Sequence, residues 1–162
     1  QKIIPCDIAN GLGVRITIFV SGCSHRCLGC HNPQTWDAAA GNPFVEDTMQ
    51  ELLDLIRPNY IRGLTFSGGD PLFVQNRLIV GYICERVRKE FGDTKDIWMW
   101  TGYEWDDIKD WDHLKYVDIL VDGPYIEAQR DISLPWAGSR NQRVIDVKQS
   151  MKKNEIVLWK EN

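Results

Sequence analysis

Apolar residues recur along this chain with two alternating periods. Residues 15–21, RITIFVS, are rich in β-branched and aromatic side chains and bounded by Gly13 and Gly22, which marks a buried strand. Met49, Leu52, Leu53 and Ile56 then recur at helical spacing, and Pro58 ends that helix. The same reading predicts a strand at 63–67 and a helix over 76–91, with Ile79, Tyr82, Ile83, Val87 and Phe91 on one face and Gly92 at its end. A third strand at 96–100, a short helix over 104–114 and a fourth strand at 116–122 follow. A fifth strand runs through Val144, Ile145 and Val147, and residues 156–159 add an edge strand. Strands alternating with helices imply βα units and a mostly parallel sheet.

No repeat, low-complexity segment or linker interrupts this order, so residues 1–162 read as a single domain. A closed eight-stranded barrel takes about 250 residues, more than the 162 present. The expected fold is therefore α/β, an open, partial βα barrel of about five or six mostly parallel strands. The cysteine-bearing loop after the first predicted strand, then SGGDP, TGY and DGPY, all follow strands, and catalytic loops gather at the carboxyl ends of parallel strands. An open side suits a substrate that is a loop of another protein.

Composition narrows the function classes. A hydrophobic content of 43% with 26% charged residues is ordinary for a globular protein. The net charge of −4 and the lack of a Lys or Arg run argue against nucleic-acid binding, and Lys148, Lys152 and Lys153 read as a solvated face. Trp98, Trp100, Trp105 and Trp111 read as packing rather than a base-stacking platform, since no basic groove accompanies them. No apolar run approaches a membrane span, and the start QKIIPCDIAN lacks the plan of a signal peptide, so no membrane partner and a cytoplasmic location are expected.

Five cysteines, three of them in one loop, argue for reduced thiols rather than a disulfide framework. Cys84 falls on an apolar helix stripe and reads as a small buried hydrophobe. Cys6, beside Pro5, reads as packing or as an accessory ligand.

The densest chemistry lies at 22–36, GCSHRCLGCHNPQTW. Cys23, Cys27 and Cys30 stand in the spacing C-x3-C-x2-C, followed at once by His31 and Asn32. Three thiolates on one short loop can converge on one metal centre, and a cubane iron–sulfur cluster with three protein ligands keeps one iron open. The same cysteines with His25 or His31 also satisfy a Cys3His zinc site, although structural zinc usually brings a second C-x2-C hook, which is missing.

This loop resembles the signature of the radical S-adenosylmethionine (SAM) enzymes. SGC, the CHN after the third cysteine and the closing TW are similar to the glycyl-radical activating branch of that superfamily, and most of all to the activating proteins of anaerobic ribonucleotide reductases. Gly29 favours that assignment, because the superfamily more often has an aromatic residue there. The stretch at 7–15, DIANGLGVR, resembles the family's D-x-x-N-G-x-G-x-R, and 136–143 its W-x-G-S-x-N-Q-R.

The resemblance implies a partial barrel of the radical SAM type with a [4Fe-4S] cluster on Cys23, Cys27 and Cys30, whose free iron holds SAM. It implies that Ser67, Gly68, Gly69 and Asp70 hold the methionine moiety, with Asp70 on its ammonium group. Thr101 joins that cofactor site, and Arg140, Asn141 and Gln142 are placed to grip the SAM carboxylate or ribose. His31 and Asn32 tune the cluster through hydrogen bonds, while His25 and His113 read as surface residues.

The implied chemistry is reductive cleavage of SAM to methionine and a 5′-deoxyadenosyl radical, which takes a hydrogen atom from a glycine of the anaerobic ribonucleotide reductase catalytic subunit. A flavodoxin or similar one-electron donor supplies the electron. Three alternatives stand beside this reading: activation of another glycyl-radical enzyme such as pyruvate formate-lyase, a radical SAM enzyme acting on a small molecule, and a zinc-binding interaction module. Against the first stand the short chain and Gly29.

Overall fold

The computed structural model describes residues 2–161. Six strands form one open sheet in chain order: β1 (Lys2–Asp7), β2 (Val14–Val20), β3 (Ile61–Gly68), β4 (Asp96–Trp100), β5 (Ile119–Asp122) and β6 (Arg143–Asp146). The pairs from β2 to β5 are parallel, whereas β1 and β6 run antiparallel to their neighbours. Of the expected partial βα barrel, the α/β class and an open sheet of six strands are present, but the sheet is parallel only at its centre and antiparallel at both edges.

Parity along the strands separates two layers. Registered rows such as Ile18, Phe66, Met99, Leu120 and Ile145 face the helices and form the apolar core. There they meet Met49, Leu52, Leu53 and Ile56 of α1 (Glu46–Ile56), and Val80, Ile83, Cys84 and Val87 of α2 (Arg77–Phe91). Burying one such side chain contributes about 1.5–3 kcal/mol, so this layer carries most of the stability. Gly92 ends α2 at a left-handed φ of 57°.

The opposite face is polar and aromatic. Thr17, Thr65 and Trp98 share its central row, beside the fully buried Arg15. The Arg15 guanidinium donates to Thr65 Oγ1 (2.7 Å) and the Leu64 carbonyl (2.8 Å), lies 2.6 Å from Asp96 Oδ1 and sits 5.3 Å from the Trp98 ring centre. Trp98 also meets Trp100, Trp136 and Trp159, so indoles and a guanidinium fill this face.

Several expectations are corrected. The edge strand β1 lies where no strand was predicted; a bulge between Ile4 and Asp7 puts Cys6 at a left-handed φ of 58° and breaks the alternation that would have marked it. The helix predicted over 104–114 is one turn, α3 (Trp105–Ile108), because residues 109–113 after it fold into turns that lead to a short 3₁₀ segment, Leu114–Tyr116. Val147 leaves the predicted fifth strand to open α4 (Val147–Lys153), since the Asp146 carboxylate caps that helix by accepting from the Gln149 amide. Lys148, read as solvated, pairs with Asp93 and Asp118. Residues 156–159 lie beside β6 through the bonds Asp146 N to Val157 O and Trp159 N to Val144 O and one bridge, Ile145 to Leu158, short of a full strand.

Candidate iron–sulfur and cofactor site

The cysteine loop leaves the end of β2 and is closed at its base by backbone bonds from Gly22 N to Thr35 O (2.7 Å) and Cys23 N to Trp36 O (3.1 Å). Thr35 and Trp36, the closing TW of the motif, are thus the second side of a stem. Inside it, Cys30 N donates to Cys27 O, and Asn32 N approaches Cys30 Sγ at 3.4 Å. All three loop thiols border one cleft above the polar face of the sheet, at the carboxyl ends of β2, β3 and β4. All three are free thiols of intermediate exposure. Burial pushes the Cys23 thiol up; the backbone amides of His25 and Arg26 pull it down, while Asp70 and Cys27 add to the rise.

The glycines of SGGDP let two backbones meet. A Cβ on Gly69 would lie 2.5 Å from the Gly22 carbonyl oxygen, and one on Gly68, at a φ of 99°, would lie 2.8 Å from Val20 O. In that close approach Gly69 N donates to Val20 O and Asp70 N to Gly22 O, both at 2.8 Å, which locks the end of β3 to the root of the cysteine loop.

Asp70 is buried, and both oxygens of its carboxylate accept hydrogen bonds. It accepts from Leu72 N (2.8 Å), Gly102 N (2.9 Å) and the Thr101 hydroxyl, and His25 Nε2 lies 2.8 Å away as an ion-pair contact. A carboxylate offers about four acceptor positions, and three of them are taken by these hydrogen-bond donors. His25 is therefore no plain surface residue: it packs edge-on to Tyr103 and covers Gly102, where a Cβ would lie 2.5 Å from its ring. His113 likewise packs over Gly81 of α2.

Ser67, Gly68, Gly69, Asp70 and Thr101 all line the cleft with the cysteines, as do His31 and Asn32. Arg140 and Asn141 do not. Arg140 is exposed and pairs with Asp131, whose carboxyl is held down to about 2 by Ser133 and by Arg140 itself. Asn141 braces its own loop, donating to Pro124 O and accepting from Ser139 Oγ. Gln142 is the member of that stretch that borders the cleft, and it ties two loops together by accepting from Gly138 N and donating to Gly123 O.

Sequence reading missed Asn10, Trp36, Trp100 and Tyr125 as lining residues. The signal for Tyr125 was its place in DGPY at the end of a strand. Its hydroxyl donates to Glu127 Oε2 at 2.6 Å, and together these side chains reach over Gly29, where a Cβ would lie 2.1 Å from Glu127 Oε2. The positive φ of Gly29, 74°, and this close approach give the glycine in the cysteine motif a physical reason.

By residue type this donor set fits an iron–sulfur cluster with three cysteine ligands, although among the described residues no three His, Cys, Asp or Glu side chains are gathered as closely as a metal ion requires. Three thiols of one loop border one space; His25 and His31 border it too, His25 lying beside Asp70 and edge-on to Tyr103 and His31 tilted against Tyr125. Comparison with known proteins agrees, because residues 9–145 match the family described as 4Fe-4S single cluster domain. The chain is also 46% identical over 144 residues to the anaerobic ribonucleoside-triphosphate reductase-activating protein of Enterobacteria phage T4, covering 89% of this chain and 91% of that one. The chain belongs to that family. Proteins of the same description in Vibrio cholerae and Escherichia coli K12 are 42% and 40% identical, covering 88% and 89% of this chain and 94% and 96% of their own. Among the described residues no helix is long and apolar enough to cross a membrane.

Proposed function

We propose that this chain is the radical SAM activase of an anaerobic ribonucleotide reductase, with its cluster on Cys23, Cys27 and Cys30 and SAM in the cleft beside them. The observation that carries the reading is that the loop thiols border one cleft with the glycine-bearing end of β3. When bound, the cluster and SAM supply one-electron cleavage of a C–S bond and the hydrogen-abstracting radical that follows from it.

The chain's own residues bind, orient and shield. Gly68 and Gly69 bring β3 against the cysteine loop, so the cofactor site and the ligand loop move as one body. Asp70 also arranges: through Thr101 and Gly102 its carboxylate fixes the strand ends and the loop that any ligand would touch, beside its proposed hold on the SAM ammonium group. The lining residues Ser67 and Gln142, together with the main chain at Gly68 and Gly69, offer polar groups for the amino-acid part of SAM, while Trp36, Trp100 and Tyr125 offer aromatic surface for its adenosine. Hydrogen-atom transfer needs near contact, so a glycine-bearing loop of the reductase is proposed to enter over the cleft at the open sheet's polar face. The names of its relatives support the reductase as the target, and a flavodoxin-like protein is proposed as donor.

Anaerobic reconstitution tests the proposal. Protein carrying iron and sulfide, given SAM and a reductant, should release methionine and 5′-deoxyadenosine and raise a glycyl radical, seen by electron paramagnetic resonance, on the reductase subunit but not on pyruvate formate-lyase. A radical on the lyase alone would replace the partner; zinc without sulfide would end the radical reading.

A further inference from the structure

Among the described residues, the buried side-chain polar atoms without a hydrogen-bond partner are Thr17 Oγ1, His25 Nε2, Trp36 Nε1, Asp96 Oδ1 and Trp136 Nε1. Two of them lie within ion-pair distance of a partner, Asp96 Oδ1 at 2.6 Å from Arg15 and His25 Nε2 at 2.8 Å from Asp70. Of the other three residues, only Trp36 lines the cleft that the loop cysteines border. Buried donors are rarely left unpaired, so one that lines this cleft calls for an acceptor there.

Trp36 is held at the root of the cysteine loop. Its carbonyl accepts from Cys23 N at 3.1 Å. Cys23 and Trp36 are also the two residues that border both the cleft and a neighbouring groove lined by Ser24, Pro33 and Phe73, so together they form the wall between the two spaces. The loop already brings N–H groups to its sulfurs: Asn32 N approaches Cys30 Sγ at 3.4 Å, and the backbone amides of His25 and Arg26 bond the Cys23 thiol.

Resting on the cluster reading above, we infer that the Trp36 indole N–H donates to sulfur at the Cys23 corner of the bound cluster and thereby sets how readily that cluster accepts an electron. Three thiolates on the oxidised core already leave a net negative charge, and reduction adds one more. An N–H aimed at sulfur stabilises the more negative state more and so raises the reduction potential, which hydrogen bonds to the sulfurs help to set. The indole is a donor only and keeps its proton throughout. Sulfur is favoured over SAM as the acceptor because the indole belongs to the stem that carries Cys23, which keeps the two together whether or not the cofactor is present.

The test uses anaerobically reconstituted holoprotein without SAM, its midpoint potential read from the electron paramagnetic resonance of the reduced cluster. Trp36→Phe keeps an aromatic ring and removes the N–H. It should lower the potential, so that the ratio of reduced to oxidised cluster at a fixed potential falls about tenfold, the worth of roughly one hydrogen bond and about 59 mV for one electron. Trp136→Phe, which removes the unpaired N–H that does not line the cleft, should leave the potential unchanged. Wild-type protein carrying nitrogen-15 at its indole nitrogens should show, in pulsed resonance, a nitrogen-15 coupling to the reduced cluster, a measurement that stands even if Trp36→Phe assembles no cluster. An unchanged potential in Trp36→Phe would overturn the inference. So would equal shifts in both variants, a wild type without the coupling, or a coupling that arises only once SAM is added. Wild-type protein that binds no iron and sulfide would instead sink the cluster reading, and this inference with it.

Discussion

The Thr101 hydroxyl lies 2.9 and 3.1 Å from the two carboxylate oxygens of Asp70 and so ties the end of β4 to the end of β3 beneath the cleft. Asp70→Ala would leave that hydroxyl and the amides of Leu72 and Gly102 without their acceptor. The expected loss is about 4–5 kcal/mol, the order of three hydrogen bonds to a charged group, read as a lower urea midpoint. Thr101→Val, which leaves the carboxylate its other donors, should lose about 1 kcal/mol. A wild-type midpoint for Asp70→Ala would mean that this carboxylate serves a ligand alone.

Replacing Cys23, Cys27 or Cys30 with Ala should abolish cluster assembly, measured as bound iron and sulfide, whereas Cys84→Ala should retain both. The two cysteines outside the loop should separate under alkylation of the folded protein at pH 8. Cys6 is exposed and should react. Cys84 is fully buried, its thiol pushed up to about 12 by that burial, and should resist until the chain unfolds.

Gly29→Ala combines two costs, a left-handed backbone of about 1–2 kcal/mol and the collision with Glu127. The collision is with the end of a flexible side chain. Pairing it with Glu127→Ala should therefore recover only the steric part, and a thermal-denaturation cycle of the four proteins reads the division. Full recovery in the double variant would show that the backbone angle carries no strain.

Arg140→Ala should leave SAM affinity unchanged within about twofold, since its side chain pairs with Asp131 away from the cleft. Gln142→Ala removes the link between the loops at Gly123 and Gly138 and should weaken SAM about tenfold, the worth of roughly one hydrogen bond. Isothermal titration of both holoproteins decides between them.

What could be read in advance was local. The helix stripe of Met49, Leu52, Leu53 and Ile56 and the β-branched run of β2 carry their own period, and each is found where it was predicted. The cysteine spacing and SGGDP announce themselves because their ligands and glycines are close in sequence. Pairings across distance were not legible. Nothing beside His25 in the chain signals Asp70, 45 positions away, and a polar residue between ligands reads as surface. Which of Arg140, Asn141 and Gln142 borders the cleft depends on how their loop turns, and three consecutive polar residues do not encode that. At Val147 two local signals conflicted, and the cap at Asp146 prevailed over the apolar alternation.

The division of the sheet into an apolar and a polar face has a consequence for how such a chain can change its length. In β2, Ile16, Ile18 and Val20 belong to the helix-facing layer, and Arg15 and Thr17 to the opposite one. Loss or gain of one residue inside this strand would exchange the two sets, drive a guanidinium between α1 and α2, and bring the cysteine loop out on the wrong side of the sheet. Substitutions can be accepted here one at a time, but insertions and deletions only in steps of two.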